Sequence, residues 1–299
     1  MTKHTSLLTL AASITAASLA TTASLATTAA AAPGKLTTTV FTGSPAGFLA
    51  DSTLVAGDKD AILIDAQFDL ADAHRLVAQI LDAKKNLTTV YITHFHPDHY
   101  FGLSVIHDAF PKARIVALPA TVEEIKKTWS DKVKQWKPVF GDGITSQPIV
   151  PTALAAATLT LEGQTLEIHG GVQGDSNDNS YVWIPSIKTV VAGDVIYRGV
   201  HAWTRETGVA QRQAWRKTLD QIAQLKPTTV IAGHKDPAQP DDAAGIAATR
   251  AYLDAFDAAI ASSKTSAEAQ AKVKAAYPSA QLDVILQLGA DAQYATAVK

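Results

Sequence analysis

The chain has 299 residues, 47% of them hydrophobic and 18% charged, with a formal net charge of −2. That apolar share excludes a disordered chain, and the near-zero charge excludes a protein that grips nucleic acid through a basic face. Beyond the leader no apolar run approaches the roughly 18–20 residues that cross a bilayer, so the sequence predicts a globular protein whose partner is a small molecule.

Residues 1–31 differ from all that follows. Lys3 opens them, the apolar stretch Leu7–Leu19 comes next, and a Ser/Thr/Ala tract closes on Ala29-Ala30-Ala31-Ala32-Pro33. This order predicts a secretory signal peptide cut near Ala30 or Ala31, hence a periplasmic or secreted protein with no membrane attachment after cleavage. The chain has no cysteine. Disulfides are therefore ruled out, and any metal site must be built from imidazole and carboxylate.

In the mature chain, β-type runs recur at 36–41, 52–56, 61–65, 89–93, 114–118, 159–161, 165–168, 180–184, 189–192 and 228–232. The second and third form a hairpin about the polar turn Gly57-Asp58-Lys59-Asp60. Helical periodicity covers 70–84, 103–109, 121–136 and 211–225. Hairpins followed by alternating helices and strands predict a layered α/β domain over 32–238. Residues 239–299 read as a helical C-terminal extension packed on it, with helices at 250–262 and 266–276. The stripe Val122, Ile125, Trp129, Val133 and Trp136 reads as core. Residues 137–158, rich in Pro and Gly, are expected to line one wall of the site, and oligomeric state is not legible.

One segment carries the chemistry: Thr93-His94-Phe95-His96-Pro97-Asp98-His99, directly after the apolar run Val90-Tyr91-Ile92. Alternate residues leaving a strand share a side, so His94 and His96 aim at one point, and Pro97 redirects Asp98 and His99 to a second. Imidazole and carboxylate at this density suit zinc, iron or manganese. Two other runs end alike: Val190-Val191-Ala192-Gly193 stops at Asp194, and Val230-Ile231-Ala232-Gly233 stops at His234. Strands of one sheet bring such ends to a common edge, and each glycine allows close backbone approach there. A fourth run ends at Asp65, expected to orient a ligand histidine through its carboxylate.

The string His94-x-His96-x-Asp98-His99, with Asp194 and His234 downstream, resembles the metallo-β-lactamase-fold hydrolase superfamily over about residues 35–235. The resemblance implies a four-layer αββα sandwich with the site along one edge of its two sheets. It also implies two divalent metal ions, first of all zinc, and a metal-activated hydroxide that attacks a small ester, lactone or amide carbonyl. By position, His94 and His96 hold the first metal, Asp98, His99 and His234 the second, and Asp194 bridges both. The family's third histidine for the first metal is missing. In its place stands Gly170-Gly171-Val172-Gln173-Gly174-Asp175, where Asp175 is the first choice of ligand and Gln173 and His169 are rivals. A carboxylate there opens the first position to iron or manganese. Asp98 is expected to align the nucleophile and take its proton, and Tyr197 or His201 to protonate the leaving group. β-Lactam hydrolysis and oxygen chemistry at a single iron stand as alternative functions, with a closed structural metal site as a third.

Overall fold

Alternation along the strands decides the architecture. Leu54 and Ala56 face one way and Val55 the other; Ala61 and Leu63 oppose Ile62 and Ile64; Val90 and Ile92 oppose Tyr91. Apolar residues on both faces require a covering layer on each side. The protein, a computed structural model, is described at residues 34–295 and at the first two. Apart from those two residues, the signal-peptide reading lies outside the described residues.

The first sheet has six strands in chain order: β1 (Thr37–Thr42), β2 (Asp51–Ala56), β3 (Asp60–Ile64), β4 (Asn86–Ile92), β5 (Arg114–Ala117) and β6 (Thr152–Ala153). The second contains β7 (Thr158–Leu161), β8 (Gln164–Val172), β9 (Asn179–Ile184), β10 (Thr189–Val191) and β12 (Thr229–Ile231), in the order β12-β10-β9-β8-β7. A parallel pair, β11 (Tyr197–Arg198) with β13 (His234–Lys235), lies beside the strand ends. The helices are α1 (Leu70–Asp82), α2 (Leu103–Ala109), α3 (Pro119–Phe140), α4 (Val209–Gln224), α5 (Ala244–Ala261), α6 (Ser266–Ala276) and α7 (Asp283–Ala295).

Three apolar cores follow from these layers. Val55, Ile62, Ile64 and Tyr91 of the first sheet meet Leu166, Ile168, Val182, Val191 and Ile231 of the second. On the outer face of the first sheet, Leu76 and Ile80 of α1, Leu103 and Ile106 of α2, and Val122 and Ile125 of α3 cover Leu54, Leu63, Val90 and Ile92. Outside the second sheet, Trp215 and Leu219 of α4, Leu253 and Phe256 of α5, and Leu286 and Ala290 of α7 pack on Tyr181, Trp183 and Val190. The result is the αββα sandwich, and the tail helices belong to its outer layer.

Several elements differ from expectation. α3 starts on Pro119, whose fixed φ suits a first helical position, and runs on through Pro138 to Phe140. Residues 137–158 therefore begin as helix, and none of them lines the metal-site cavity; that wall comes from α3, through Lys132, Gln135 and Trp136. α7 lies in the stretch read as helical, though no individual helix was placed there. Asp242, just before α5, accepts from the Ala244 amide at 3.0 Å, and Asp241 accepts from Lys235 Nζ at 2.6 Å. No helix among the described residues is long and apolar enough to cross a membrane.

Buried Arg212 of α4 fastens the tail. Its Nε reaches Asp257 Oδ1 on α5 at 2.6 Å, and its Nη1 reaches Thr207 O at 2.5 Å and Gln293 Oε1 on α7 at 3.1 Å. Removing Asp257 strands a buried guanidinium, whereas Arg212→Met leaves Asp257 paired with Arg216 at 2.8 Å. Urea unfolding is therefore expected to show Asp257→Ala losing about 3 kcal/mol, more than Arg212→Met loses.

Candidate metal centre

Strand register builds the site. β10 runs parallel to β12, with Val191 level with Ile231, and Asp194 and His234 each lie the same number of residues further on. They arrive side by side at the sheet edge. Two glycines make the approach possible: Gly193 has a φ of 49°, and a Cβ on Gly233 would overlap the Asp194 carboxylate and lie 2.5 Å from the Gly193 carbonyl carbon. From the other sheet, β4 delivers His94 and His96 at its carboxyl end.

The donor atoms form two groups, His94, His96, Asp175 and Asp194 in one and Asp98, His99 and His234 in the other, each with its atoms within 4.8 Å of one another. Asp194 faces both: Oδ2 is 3.6 Å from His94 Nε2 and 3.2 Å from His234 Nε2, and Oδ1 is 3.1 Å from His99 Nε2. Asp98 Oδ2 lies 3.3 Å from His234 Nε2. Asp175 comes within 2.8 Å of His96 Nδ1. Of its rivals, Gln173 turns its amide to Gly174 O at 3.0 Å. His169 stacks on Tyr181 with ring centres 4.7 Å apart, outside both groups.

Each of the four histidines spends one nitrogen on the protein and keeps the other for the centre. His234 Nδ1–H donates to Phe48 O at 2.7 Å, which leaves Nε2 with its lone pair. His99 Nδ1 donates to Asp65 Oδ2 at 2.9 Å. Thr93 Oγ1 donates to Asp65 Oδ2 at 2.8 Å and so accepts from His94 Nδ1 at 3.0 Å. His96 turns Nδ1 inward and points Nε2 at Glu206 Oε2, 3.3 Å away. Asp65 also accepts from the Thr93 amide at 2.9 Å. Its backbone stands in the left-handed region, with φ 61°, a strained conformation for a residue with a side chain that is typical of functional sites. Glu206 escaped the sequence reading because it sits in an irregular loop, far along the chain from His96, with no motif around it.

The electrostatics match a cation site. Burial opposes ionisation of Asp98 and Asp194, yet the surrounding imidazoles outweigh it and hold both carboxyls below their usual range. Burial pushes Asp175 up to about 6, against the pull of His96. Burial likewise opposes charge on His96, but Asp175 and Glu206 raise it to about 10. His94 Nε2, His99 Nε2 and Asp194 Oδ1 are all buried without a hydrogen bond of acceptable geometry. Orphaned ligand atoms of this kind, on imidazoles already oriented by carboxylate, carbonyl and hydroxyl, fit divalent metal ions.

The Tyr197 hydroxyl donates to Asp194 Oδ2 at 2.7 Å and lies 3.3 Å from Asp175 Oδ2, while its ring stacks on His234. Burial and these carboxylates push its pKa well up, so it keeps its proton. His201 also reaches the cavity wall, but its Nδ1 faces the Tyr252 hydroxyl at 3.1 Å and its Nε2 faces Asp283 at 3.5 Å.

Residues 46–234 match the family model of the metallo-beta-lactamase superfamily, and the chain belongs to that superfamily. The Metallo-beta-lactamase type 2 of Bacteroides fragilis is 24% identical over 186 residues, covering 61% of this chain and 68% of that protein. Among solved structures, a metallo-beta-lactamase from Pontibacter korlensis aligns with a TM-score of 0.53 at 18% identity, over 74% of this chain and 95% of its own. A metallo-beta-lactamase family protein from Thermus thermophilus reaches 0.59 at 18% identity, over 88% of this chain and 93% of its own. Both structures share the fold.

Asp65→Ala removes the acceptor of both His99 Nδ1 and Thr93. Calorimetric titration with zinc should show 10–100-fold weaker binding than wild type, with the far-ultraviolet circular dichroism unchanged.

Proposed function

We propose that the protein is an exported metal-dependent hydrolase of a small ester, lactone or amide. The observation that carries this reading is the trio of orphaned ligand atoms, His94 Nε2, His99 Nε2 and Asp194 Oδ1, beside a cavity lined by Asp98, Asp194 and aromatic side chains. His94, His96 and Asp175 would hold one divalent ion, Asp98, His99 and His234 a second, and Asp194 would bridge them, with zinc the expected metal. Such ions, when bound, polarise a carbonyl and lower the pKa of water from about 16 to about 7.

The chain's own groups do the rest. Ionised Asp98 lines the cavity, orients the attacking water, takes its proton and returns it to the leaving oxygen or nitrogen. Tyr197 holds its proton on the hydroxyl and fixes the Asp194 and Asp175 carboxylates. It therefore orients ligands and does not protonate the leaving group, because that proton is already committed and its pKa is high. His201 is not given the acid role either, since burial lowers its pKa and its Nδ1 is held at the Tyr252 hydroxyl. Phe48, Trp136 and Trp203 shield the floor from bulk water. Export rests on the leader residues 1–31 and accords with a role on small molecules outside the cytoplasm.

One observation favours a second reading. With Asp194 turned to His99 and His234, the remaining His94, His96 and Asp175 of its group are two histidines and one carboxylate, the donor combination of mononuclear iron oxygenases. Metal analysis of protein purified without added metal separates the two, since two ions per chain favour the hydrolase and one iron the oxygenase. On a panel of ester, lactone, thioester and β-lactam substrates, hydrolysis is expected to vanish with chelator and return with zinc. Asp98→Ala is expected to lose at least 100-fold in kcat while melting as wild type does when both are stripped of metal. Turnover that survives either treatment contradicts the reading.

A further inference from the structure

The superfamily match ends at residue 234, yet the cavity over the metal centre is not complete there. Leu282 and Ile285, from the start of α7, form part of its lining, together with Phe48, Trp136 and Trp203. The tail thus supplies an apolar wall to a site whose ligands all lie upstream.

The wall is held in place by a dedicated joint. The Gln281 amide donates to Gly199 O at 3.1 Å, and the His201 amide donates to Gln281 O at 2.9 Å. This extends the chain that leaves Asp194 by one strand-like contact, at the Val200–Gln281 bridge. Asp283 then sits 3.5 Å from His201 Nε2 and 2.7 Å from Lys274 Nζ. Between these anchors Leu282 adopts φ 68°, a left-handed conformation that costs a residue with a side chain about 1–2 kcal/mol. The turn brings Leu282 and Ile285, one helical turn apart, onto the same cavity. A glycine there would be free of that strain; the leucine is kept for its side chain, which packs on the outer core of the second sheet and also lines the cavity.

Charge defines what this wall accepts. Among the described residues, Lys132 is the one lysine or arginine that lines the cavity, and it is engaged with Glu206 at 3.4 Å. Among the described residues, an anionic group on the substrate arm would meet no unpaired Lys or Arg; away from the metal ligands it would meet Gln135, His201 and the indole, phenyl and aliphatic surface of Phe48, Trp136, Trp203, Leu282 and Ile285. We propose that the C-terminal extension builds the substrate-arm subsite, with Leu282 and Ile285 facing the aromatic side chains, and that it selects carbonyl compounds with an uncharged apolar arm over those whose arm ends in a carboxylate. The subsite stands on the cavity alone; only its use in turnover rests on the hydrolase reading above.

Binding of non-hydrolysable probes tests it. Zinc-loaded protein is titrated by tryptophan fluorescence with 2-alkanones of increasing chain length, and with the same ketones ending in a carboxylate. Each added methylene should tighten binding about 2–4-fold until the wall is covered, and the terminal carboxylate should abolish that gain. Leu282→Gly should keep the wild-type far-ultraviolet circular dichroism while losing the dependence on chain length, and Ile285→Ala should weaken the longer ketones about 10-fold. Leu282→Lys should reverse the preference in favour of the carboxylates. Length-independent binding, or length dependence unchanged in both Leu282→Gly and Ile285→Ala, overturns the proposal. If the ketones behave as expected but no ester, lactone or amide is hydrolysed, the subsite stands and the hydrolase reading falls. If esters are hydrolysed with the same kcat/KM at every arm length, the reverse holds.

Discussion

Asp194 is the constraint on which the rest depends. Its carboxylate is buried between two sheets, within 3.6 Å of nitrogens from His94, His99 and His234, and one of its oxygens has no hydrogen bond. A lone buried carboxylate would cost several kcal/mol and would pick up a proton instead. Here the imidazoles hold it ionised, and Tyr197 fixes its orientation. The glycines on either side exist for the same reason, since a side chain at Gly233 would occupy the carboxylate's own volume. Strand register, glycine placement and tautomer of each histidine all serve to hold this one group in a buried pocket rich in imidazole nitrogen.

Much of this is legible in the sequence because strands have a period of two. Val55, Ile62 and Tyr91 turn toward the middle of the sandwich and their neighbours toward the helices, and the order of hairpins, then alternating helices and strands, announced a layered α/β domain. The convergence of His94, Asp194 and His234 could be read from three apolar runs that each end on a ligand-type side chain. Asp65 was legible in the same way, and the structure gives it His99 and Thr93 as partners. Asp175 follows from chemistry rather than pattern, as the best ligand type in a turn that lacks histidine.

What escaped has no local signal. Glu206 meets His96 only through the fold, and a glutamate in a polar loop looks like any solvated residue. The cavity wall was expected from 137–158 because Pro and Gly suggest a loop, but α3 tolerates Pro138 within its last turn and presents Trp136 one turn earlier. α7 was not placed as an individual helix because Pro278 and Gly289 interrupt a stretch whose apolar face is decided by what it packs against: Leu286 and Ala290 join the outer core of the second sheet. That packing also brings Leu282 and Ile285 to the cavity, so the tail is both a structural layer and part of the substrate-facing surface.

The central claim is that these buried imidazoles and carboxylates are assembled to hold divalent cations. Calorimetric titration of chelator-stripped protein with zinc, followed through the melting temperature, tests it most directly. Tight uptake with a rise in melting temperature that grows with free zinc, as linkage requires, is the predicted result. A melting temperature indifferent to zinc, nickel, manganese and ferrous iron alike would contradict it.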